Sequence, residues 1–369
     1  MIAGLCTELA ARWPQLGLPG PEPVSGLVVG LDKAPNAKVV LMLFDRDGRP
    51  SVVVKTGRSM ENDAQLRREH DVLTRLWDGG LRSGIPRSLG LLLVAGRLCL
   101  AQSALPGRPM TAAYYTPGHV SNQNAVAADF GAAADWLDAF QRQGAGSPVS
   151  VAQWRESEFA ALMKRYRHRV GYKGREEPLF QLVEDRMTAL QDAKIPTAAV
   201  HGDFWMGNVM TGGGRGAGRA GNGSKTAVTG VVDWELGAPV GTPSHDVYKF
   251  PTSYAFYLDR TVPWGGGKVA GHPGREDAAG RWRSYSAWPN MLGFGHAYWG
   301  RGWFPELVRS FIRDREAALG IDPALTPILF CCFLMDQAQR STVPEFRDGY
   351  RAALAAFAEE RDRTWLWQE

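Results

Sequence analysis

Residues 201–208 read His-Gly-Asp-Phe-Trp-Met-Gly-Asn, and residues 231–235 read Val-Val-Asp-Trp-Glu. The first stretch follows the short apolar run at 198–200, so it is predicted to be a polar loop that begins where a strand ends. The second stretch closes another apolar run, which predicts a buried strand that ends in charged residues. Both stretches therefore place acidic and amide side chains at the ends of predicted strands.

The spacing of these polar residues suits phosphoryl transfer from a nucleoside triphosphate. Asp203 is followed by Asn208 five residues later, and Asp233 ends the second strand. Such a reaction needs one carboxylate to orient or deprotonate the attacking hydroxyl, and an amide oxygen and a second carboxylate to hold Mg²⁺. Mg²⁺ prefers a small number of hard oxygen ligands, because water and phosphate fill its other positions.

The two motifs resemble those of the aminoglycoside phosphotransferase and choline kinase family, which is related to the protein kinases. The family pattern H-G-D-x-x-x-x-N matches 201–208 without a gap, and its (I/V)-D-W-E matches 232–235. Landmarks of the resemblance run from about residue 24 to residue 250. It implies an α+β, protein-kinase-like two-lobed fold, with a small antiparallel β N-lobe and a larger, mainly helical C-lobe.

The order of predicted elements agrees with that fold. Three Val- and Leu-rich runs within 24–56 predict strands, and the Asp-Gly at 47–48 indicates a hairpin. Residues 60–77 have helical apolar spacing with Ser59 as an N-cap, and two more strands follow before the linker 105–109. We therefore expect a nucleotide-binding lobe over 1–104, a hinge at 105–109 and a catalytic and acceptor-binding lobe over 110–369.

The resemblance assigns roles to residues of the two motifs. Asp203 matches the catalytic base, and Asn208 and Asp233 match the metal ligands. His201 matches a residue that organises the loop, and Asp246 matches an aspartate that braces this loop from the next helix.

The resemblance also implies a nucleotide site in the N-lobe. Lys55 stands on the third strand, where the family keeps a lysine for the α- and β-phosphates. Glu69 borders the inward face of the helix 60–77 and suits an ion pair with Lys55. Glu61 is the rival partner, but a carboxylate in the first helical turn is explained by the helix dipole. The backbone of Gln102, Ser103, Ala104 and Leu105 occupies the hinge that hydrogen-bonds adenine in the family.

One landmark of the nucleotide site is weak in this sequence. The segment that should cover the phosphates offers Gly26 and Gly30 but no G-x-G-x-x-G pattern. We expect backbone N–H groups near residues 32–36 to provide that cover instead.

Two inserts distinguish the C-lobe. Residues 211–226 form a basic, Gly-rich stretch that predicts a flexible loop. Residues 253–305 hold twelve aromatic, six basic and three acidic residues, a balance unsuited to a polycation. It favours a sugar, a nucleoside or an acyl-bearing acceptor, because aromatic faces stack on such groups. The same aromatics are also explained as the core of a helical subdomain, and both interpretations stay open.

Composition limits the remaining possibilities. The 369 residues are 44% hydrophobic and carry a net charge of only +4, which argues against nucleic acid as a partner. Four cysteines lack metal-ligand spacing, and Cys331 and Cys332 lie in an apolar run that predicts buried free thiols.

We find no secretory signal and no apolar run long enough to span a membrane, so we expect a cytoplasmic location. Oligomeric state stays open.

The sequence thus predicts an ATP- and Mg²⁺-dependent O-phosphotransferase that acts on a hydroxyl of a small molecule, such as a sugar-containing antibiotic, an aminoglycoside-like compound or a nucleoside. One alternative is an inactive nucleotide- or sugar-binding protein of the same fold, and another is a choline- or ethanolamine-type kinase. A hydrolytic metal site is a third alternative, and its candidate ligands are His201, Asp203, Asp233, His245 and Asp246.

Overall fold

The computed structural model describes residues 2–16, 21–31, 38–57, 59–171, 176–212, 226–261, 291–359 and 361–367. The chain divides into two compact units. The first unit contains Met1–Arg108, His201–Asp203 and Asn208–Pro239, and the second contains Pro109–Val200, Phe204–Gly207 and Val240–Glu369. The predicted hinge at 105–109 and the lobe limits built on it stay predictions.

The first unit is built on a five-stranded sheet in the order β1-β2-β3-β5-β4. All neighbouring strands are antiparallel. The strands are β1 (Ser25–Leu31), β2 (Val39–Phe44), β3 (Pro50–Thr56), β4 (Ser88–Val94) and β5 (Arg97–Ser103). Two helices belong to the same segment, α1 (Ile2–Leu16) and α2 (Met60–Asp78). The predicted order of three strands, one helix and two strands is confirmed.

Short turns join the paired strands. Between β2 and β3, the Asp45 carboxylate accepts hydrogen bonds from the backbone N–H groups of Asp47 and Arg49. Gly48 in this turn has a φ of +73°, a conformation that glycine adopts without steric cost. The Asp-Gly pair therefore makes the hairpin that the sequence predicts.

Helix α1 covers one face of the sheet. Its buried Leu5, Leu9 and Trp13 form one cluster with residues of β2 to β5, among them Val52 and Val54. Side chains alternate along a strand, so Lys55 points to the face opposite Val54. That alternation leaves the lysine on the face that α1 does not cover.

Helix α2 begins as predicted at Ser59, whose side chain accepts a hydrogen bond from the Asn62 N–H. Two carboxylates, Glu61 and Asp63, lie in its first turn, where the helix dipole favours negative charge. Its buried residues are Asn62, Leu66, Glu69, Val72, Leu73 and Leu76. Glu69 is thus a charged group on an otherwise largely apolar face.

The rest of the first unit carries the two sequence motifs. The strand Val209–Gly212 pairs antiparallel with the strand Ala227–Val231, and Val209 lies opposite Val231. Asn208 therefore precedes one strand and Asp233 follows the other closely. This strand pairing brings the ends of the two motifs together.

The second unit is mainly helical, as predicted. A π-helical turn at Arg155–Phe159 separates two of its α-helices. Its α-helices are Thr111–Tyr114, Gln123–Gln143, Val151–Trp154, Ala160–Arg169, Glu177–Ala189, Ser244–Thr261, Met291–Trp299, Trp303–Leu319, Thr326–Arg340 and Pro344–Glu359. Short strands are Arg108–Pro109 at the boundary, Val149–Ser150, Lys194–Ile195, Ala198–Val200 and Ala238–Gly241.

The helix Thr326–Arg340 forms the centre of the second unit. Residues 326–339 are all buried, as expected for a helix that is largely apolar on every side. Cys331 and Cys332 lie in it as free, fully buried thiols, and burial raises the pKa of both well above the ordinary value. The predicted buried thiols are confirmed.

The predicted inserts fall mostly outside the described residues. This applies to 213–225 of the Gly-rich stretch, to 262–290 of the aromatic stretch and to the expected phosphate-covering segment 32–36. Within the described ranges no single helix has the length and apolarity needed to cross a membrane. The bent pair Trp303–Leu319 and Pro323–Arg340, which meet at 119°, reaches that length and composition only in combination.

Candidate active site

Lys55 and Glu69 form a buried ion pair in the first unit. The Lys55 Nζ lies 2.6 Å from the Glu69 Oε1, and the lysine and glutamate side chains are 8% and 0% exposed. Strand alternation brings the lysine to this face, and helical spacing brings the glutamate to the inner side of α2. The pairing is the one expected from the sequence, and the rival Glu61 lies exposed in the first turn of α2.

The same Glu69 oxygen accepts two further hydrogen bonds. The Gln102 side-chain amide donates at 2.8 Å, and the Trp234 backbone N–H donates at 3.2 Å. Gln102 lies opposite Val53 on the neighbouring strand, so it shares the face of Lys55. Glu69 therefore ties together the third strand, the fifth strand and the second motif.

Asp233 completes a network of charges around Lys55. Its Oδ1 lies 2.6 Å from the lysine Nζ. The Lys55 ammonium holds the pKa of Asp233 well below its usual range, against the opposing effect of burial. Burial disfavours the charged lysine, but the carboxylates of Asp233 and Glu69 more than offset this and raise the pKa of Lys55. Lys55 and Asp233 are therefore both ionised near neutral pH.

The backbone at Asp233 adopts a conformation that is rare for a residue with a side chain. Its φ and ψ are 72° and 61°, in the left-handed region. Aspartate tolerates this region better than most residues, and such strain is found most often at functional sites. The turn directs the chain so that the Trp234 N–H reaches Glu69.

His201 fixes the first motif to the second. Its Nδ1 accepts a hydrogen bond from the Asp203 N–H at 3.2 Å, and its Nε2 donates to the Val232 carbonyl at 2.9 Å. The ring is buried and packs edge-on against Trp234 at 4.6 Å. Because both ring nitrogens are engaged in the loop, His201 is placed to orient neighbouring groups.

Asp203 and Asn208 are joined across the loop. The Asn208 side-chain amide donates to the Asp203 carbonyl at 3.0 Å and to its Oδ2 at 3.2 Å. These bonds fix the amide so that its nitrogen faces Asp203 and its oxygen faces away. Asp203 is half-buried and Asn208 is buried. The carboxylate of Asp203 is thereby oriented by the Asn208 amide.

The hinge residues differ in whether their polar groups already make hydrogen bonds within the protein. Gln102 turns its side chain inward to Glu69. The backbone N–H of Ser103 donates to Arg87 and that of Ala104 donates to Ser51. Among the described residues, the N–H of Leu105 is the hinge donor that makes no hydrogen bond. This N–H group of a half-buried residue can therefore donate a hydrogen bond to the edge of a planar base.

Lys38 is a cation at the site that the sequence analysis did not single out. It forms an ion pair with Glu235 and also interacts electrostatically with Asp233. Burial lowers the pKa of Lys38 in spite of this attraction. In the sequence, Lys38 could have been found from its position, because it lies next to 32–36, the segment expected to cover the phosphates.

The carboxylates that approach one another here are Glu69, Asp233 and Glu235. Their ligand atoms lie within 4.8 Å of one another, and no other metal-capable group of this kind occurs within the described ranges. The five-residue hydrolytic metal site considered from the sequence is disfavoured, because both ring nitrogens of His201 are already engaged.

Asp246 and His245 lie in the second unit, in the first turn of the helix Ser244–Thr261. Asp246 is fully buried. The His245 Nδ1 lies 3.9 Å from Asp336, and burial lowers the pKa of this histidine. The bracing role that the resemblance assigns to Asp246 stays a prediction.

The chain matches a family of phosphotransferases over most of its length. The pattern of the phosphotransferase enzyme family matches residues 40–281, about two thirds of the chain. The chain therefore belongs to the phosphotransferase enzyme family, which confirms the resemblance stated above. No curated protein sequence matches the chain significantly.

Aminoglycoside phosphotransferases are among the solved structures to which the chain is similar. The GDP and kanamycin complex of APH(2″)-IIia is 12% identical, with 96% of this chain and 97% of that chain covered and a TM-score of 0.44. The aminoglycoside-3′-phosphotransferase of type VIII is 18% identical, with 85% and 98% covered and a TM-score of 0.39. APH(3″)-Id from Streptomyces rimosus with ADP and streptomycin is 17% identical, with 89% and 99% covered and a TM-score of 0.32.

Proposed function

We propose that this protein transfers the γ-phosphate of ATP to a hydroxyl of a small molecule, with Mg²⁺ as cofactor. The observation that carries the proposal is the network in which Lys55 contacts both Glu69 and Asp233. A lysine held between two carboxylates stays charged and fixed in place, as phosphate binding requires.

Asp203 is the proposed catalytic base. The Asn208 amide orients its carboxylate, which is proposed to accept the proton of the attacking hydroxyl. The hydroxyl oxygen then forms a bond to the γ-phosphorus while the bond to the β-phosphate bridging oxygen breaks. His201 keeps the Asp203 backbone in place through the N–H bond to its ring.

Asn208 and Asp233 are the proposed metal ligands. The fit is supported by the amide orientation of Asn208, which presents an oxygen rather than a hydrogen to a cation. Asp233 supplies an ionised carboxylate, since its pKa lies well below the usual range because of Lys55. When bound, Mg²⁺ neutralises charge on the phosphates.

The nucleotide is proposed to lie against the sheet of the first unit. Lys55 would contact the α- and β-phosphates, and the Leu105 N–H would hydrogen-bond the adenine edge. An inactive binding protein of the same fold is disfavoured, because the chain carries all four residues that are proposed as base, phosphate-binding lysine and metal ligands. The acceptor is proposed to be a small hydroxylated molecule.

The test is incubation with Mg·ATP and a pooled library of sugars, nucleosides and antibiotics, read by mass spectrometry for a gain of phosphate. Wild-type protein should phosphorylate at least one compound, and Asp203→Asn should lower kcat by about 10²–10⁴-fold. Calorimetry should show that Asp203→Asn still binds nucleotide. Equal turnover by the variant would remove Asp203 from the mechanism, and absence of Mg·ATP binding to wild type would overturn the function.

A further inference from the structure

Gln102 is a polar side chain at a buried position of β5, in the first unit. It is 2% exposed, and the residues before it on the strand, Cys99, Leu100 and Ala101, are buried and apolar. A buried amide costs free energy unless its polar atoms are paired, so the partner of Gln102 determines what this side chain does. Packing alone would be served by another apolar residue.

The partner is the carboxylate of Glu69, which is itself fully buried. The Gln102 Nε2 donates to the Glu69 Oε1 at 2.8 Å. The amide has to present its NH₂ group here, because its own oxygen and the carboxylate oxygen are both acceptors. A hydrogen bond in such a buried place is stronger than one in water.

All hydrogen bonds that described residues donate to Glu69 fall on one oxygen. Besides Gln102, the Lys55 Nζ lies 2.6 Å from Oε1, and the Trp234 backbone N–H donates to it at 3.2 Å. Oε2 accepts none from the described part of the chain. Gln102 therefore supplies the shorter of the two bonds that hold this carboxylate apart from the lysine itself.

The register of the sheet explains how Gln102 and Lys55 reach the same carboxylate. Gln102 lies opposite Val53, which precedes Lys55 by two residues on β3. Side chains alternate along a strand, so the lysine and the glutamine share one face and approach Glu69 from adjacent strands. The terminal torsion of a glutamate is broad, and a second donor beside the lysine restricts it.

We propose that Gln102 is a positioning residue for phosphoryl transfer, a role that rests on the proposed function. Its amide fixes the Glu69 carboxylate, and this carboxylate in turn directs the Lys55 ammonium toward the phosphates of the nucleotide. The effect of Gln102 passes through Glu69, since its amide is engaged there. Negative charge shifts onto the leaving phosphate in the transition state, so a misdirected lysine lowers kcat more than it raises KM.

Two variants separate this role from a contribution to stability alone. Gln102→Leu removes the amide and keeps most of the volume. Gln141→Leu is the matched control, because Gln141 is 1% exposed and donates one hydrogen bond to the Pro243 carbonyl at 3.0 Å in the second unit. Each variant loses one buried amide hydrogen bond, so urea unfolding should show a similar loss of stability in both.

Turnover is measured as phosphate release from Mg·ATP without an acceptor. Water then takes the place of the hydroxyl: its oxygen bonds to the γ-phosphorus, the bond to the bridging oxygen breaks, and ADP and phosphate leave. We expect Gln102→Leu to lower kcat about tenfold or more and to change the KM for ATP by less than about threefold. Gln141→Leu should keep the wild-type kcat.

Gln102→Glu adds a readout that loss of stability does not produce. Two carboxyl groups at this distance share one proton at pH values where one alone would be ionised. The protonated carboxyl donates to Glu69 as the amide does, whereas the ionised one repels it. We expect kcat to be near wild type at about pH 5 and to fall relative to wild type toward about pH 8. The charged neighbours Lys38, Lys55 and Asp233 are common to both proteins.

The orientation of Lys55 is also measured without turnover, by NMR of protein labelled with ¹⁵N-lysine. Protons of a buried, hydrogen-bonded group exchange slowly with water, so the Lys55 ammonium should give a signal, assigned by its loss in Lys55→Arg. We expect this signal in wild type and in Gln141→Leu, and we expect it to be broadened or lost in Gln102→Leu.

Three results would each overturn the positioning role. They are a wild-type kcat in folded Gln102→Leu, a pH profile of Gln102→Glu parallel to that of wild type, and an unchanged Lys55 signal in Gln102→Leu. Wild-type protein that neither binds Mg·ATP in calorimetry nor releases phosphate would overturn the proposed function instead. The Lys55 signal would still show whether Gln102 orients the lysine.

Discussion

The Lys55 ammonium lies 2.6 Å from the Asp233 carboxylate, although 178 residues separate them in sequence. The same nitrogen lies 2.6 Å from Glu69. A buried cation is stable only when paired, so the strand, the helix and the second motif have to be assembled together. The site is therefore also part of what holds the first unit together.

Replacement of Glu69 by glutamine should destabilise the protein. Three donors meet the Glu69 carboxylate, from Lys55, Gln102 and Trp234. A glutamine amide would turn an NH₂ group toward one of them and leave Lys55 with a single carboxylate. Removal of one partner from a buried ion pair costs roughly 3–5 kcal/mol, so urea unfolding should show a loss of that size.

The matched control is Glu8→Gln. Glu8 pairs with Arg12 on α1, but both side chains are more than 40% exposed. Exposed pairs contribute little, so this variant should change the free energy of unfolding by less than about 1 kcal/mol. Equal losses in the two variants would show that the buried pair has no special part in stability.

Lys38 should contribute to nucleotide binding. It is a half-buried cation paired with Glu235 and coupled electrostatically to Asp233, so it can exchange the Glu235 carboxylate for a phosphate oxygen. We expect Lys38→Met to raise the KM for ATP about tenfold or more with a smaller effect on kcat, as loss of a charge-assisted hydrogen bond predicts. Steady-state kinetics with varied Mg·ATP measure this.

Lys194→Met is the control for this lysine, because Lys194 is an exposed residue of the second unit. It should leave the KM for ATP at the wild-type value. A wild-type KM in Lys38→Met as well would mean that Lys38 serves only the ion pair with Glu235.

Much of the first unit follows from local patterns in the sequence. Val- and Leu-rich runs locate the five strands, and Asp-Gly at 47–48 marks the hairpin. The pairing of Lys55 with Glu69 follows from strand alternation and helical spacing. These features depend on neighbours in sequence, which is why they can be read without coordinates.

Features that depend on distant residues could not be read in this way. The inward turn of the Gln102 side chain, the left-handed backbone at Asp233 and the stacking of Trp205 on Tyr257 all require tertiary structure. The π-helical turn at Arg155–Phe159 also leaves no periodic signal that separates it from a helix. Lys38 was missed because its partner Glu235 lies almost two hundred residues away.

Acid should destabilise the protein partly through His245. Burial lowers the pKa of this histidine below its ordinary value of about 6.5, while Asp336 opposes the shift. Between the lowered pKa and about 6.5, the unfolded chain binds a proton that the folded chain does not. The stability from this group is therefore present above about pH 6.5 and is lost as the pH falls.

His245→Gln removes this titration. The variant should show a shallower decline in the free energy of unfolding from about pH 7 to about pH 5 than the wild type, by at most about 1.4 kcal/mol per pH unit. Urea titrations at several pH values measure both slopes. Parallel slopes would show that His245 does not carry the acid sensitivity.

Gly202 should tolerate alanine far less well than Gly48, although the two share a positive φ of 78° and 73°. At Gly202 a Cβ would overlap the Leu236 carbonyl, whereas at Gly48 no atom lies within 4 Å. Left-handed backbone alone costs alanine about 1–2 kcal/mol, which is the loss expected for Gly48→Ala. Gly202→Ala should add about 1–3 kcal/mol from overpacking. It should also lower kcat, because His201 and Asp203 flank the displaced residue. Urea unfolding and turnover of both variants test this, and equal losses of stability with full turnover would mean that the loop relaxes around the new methyl group.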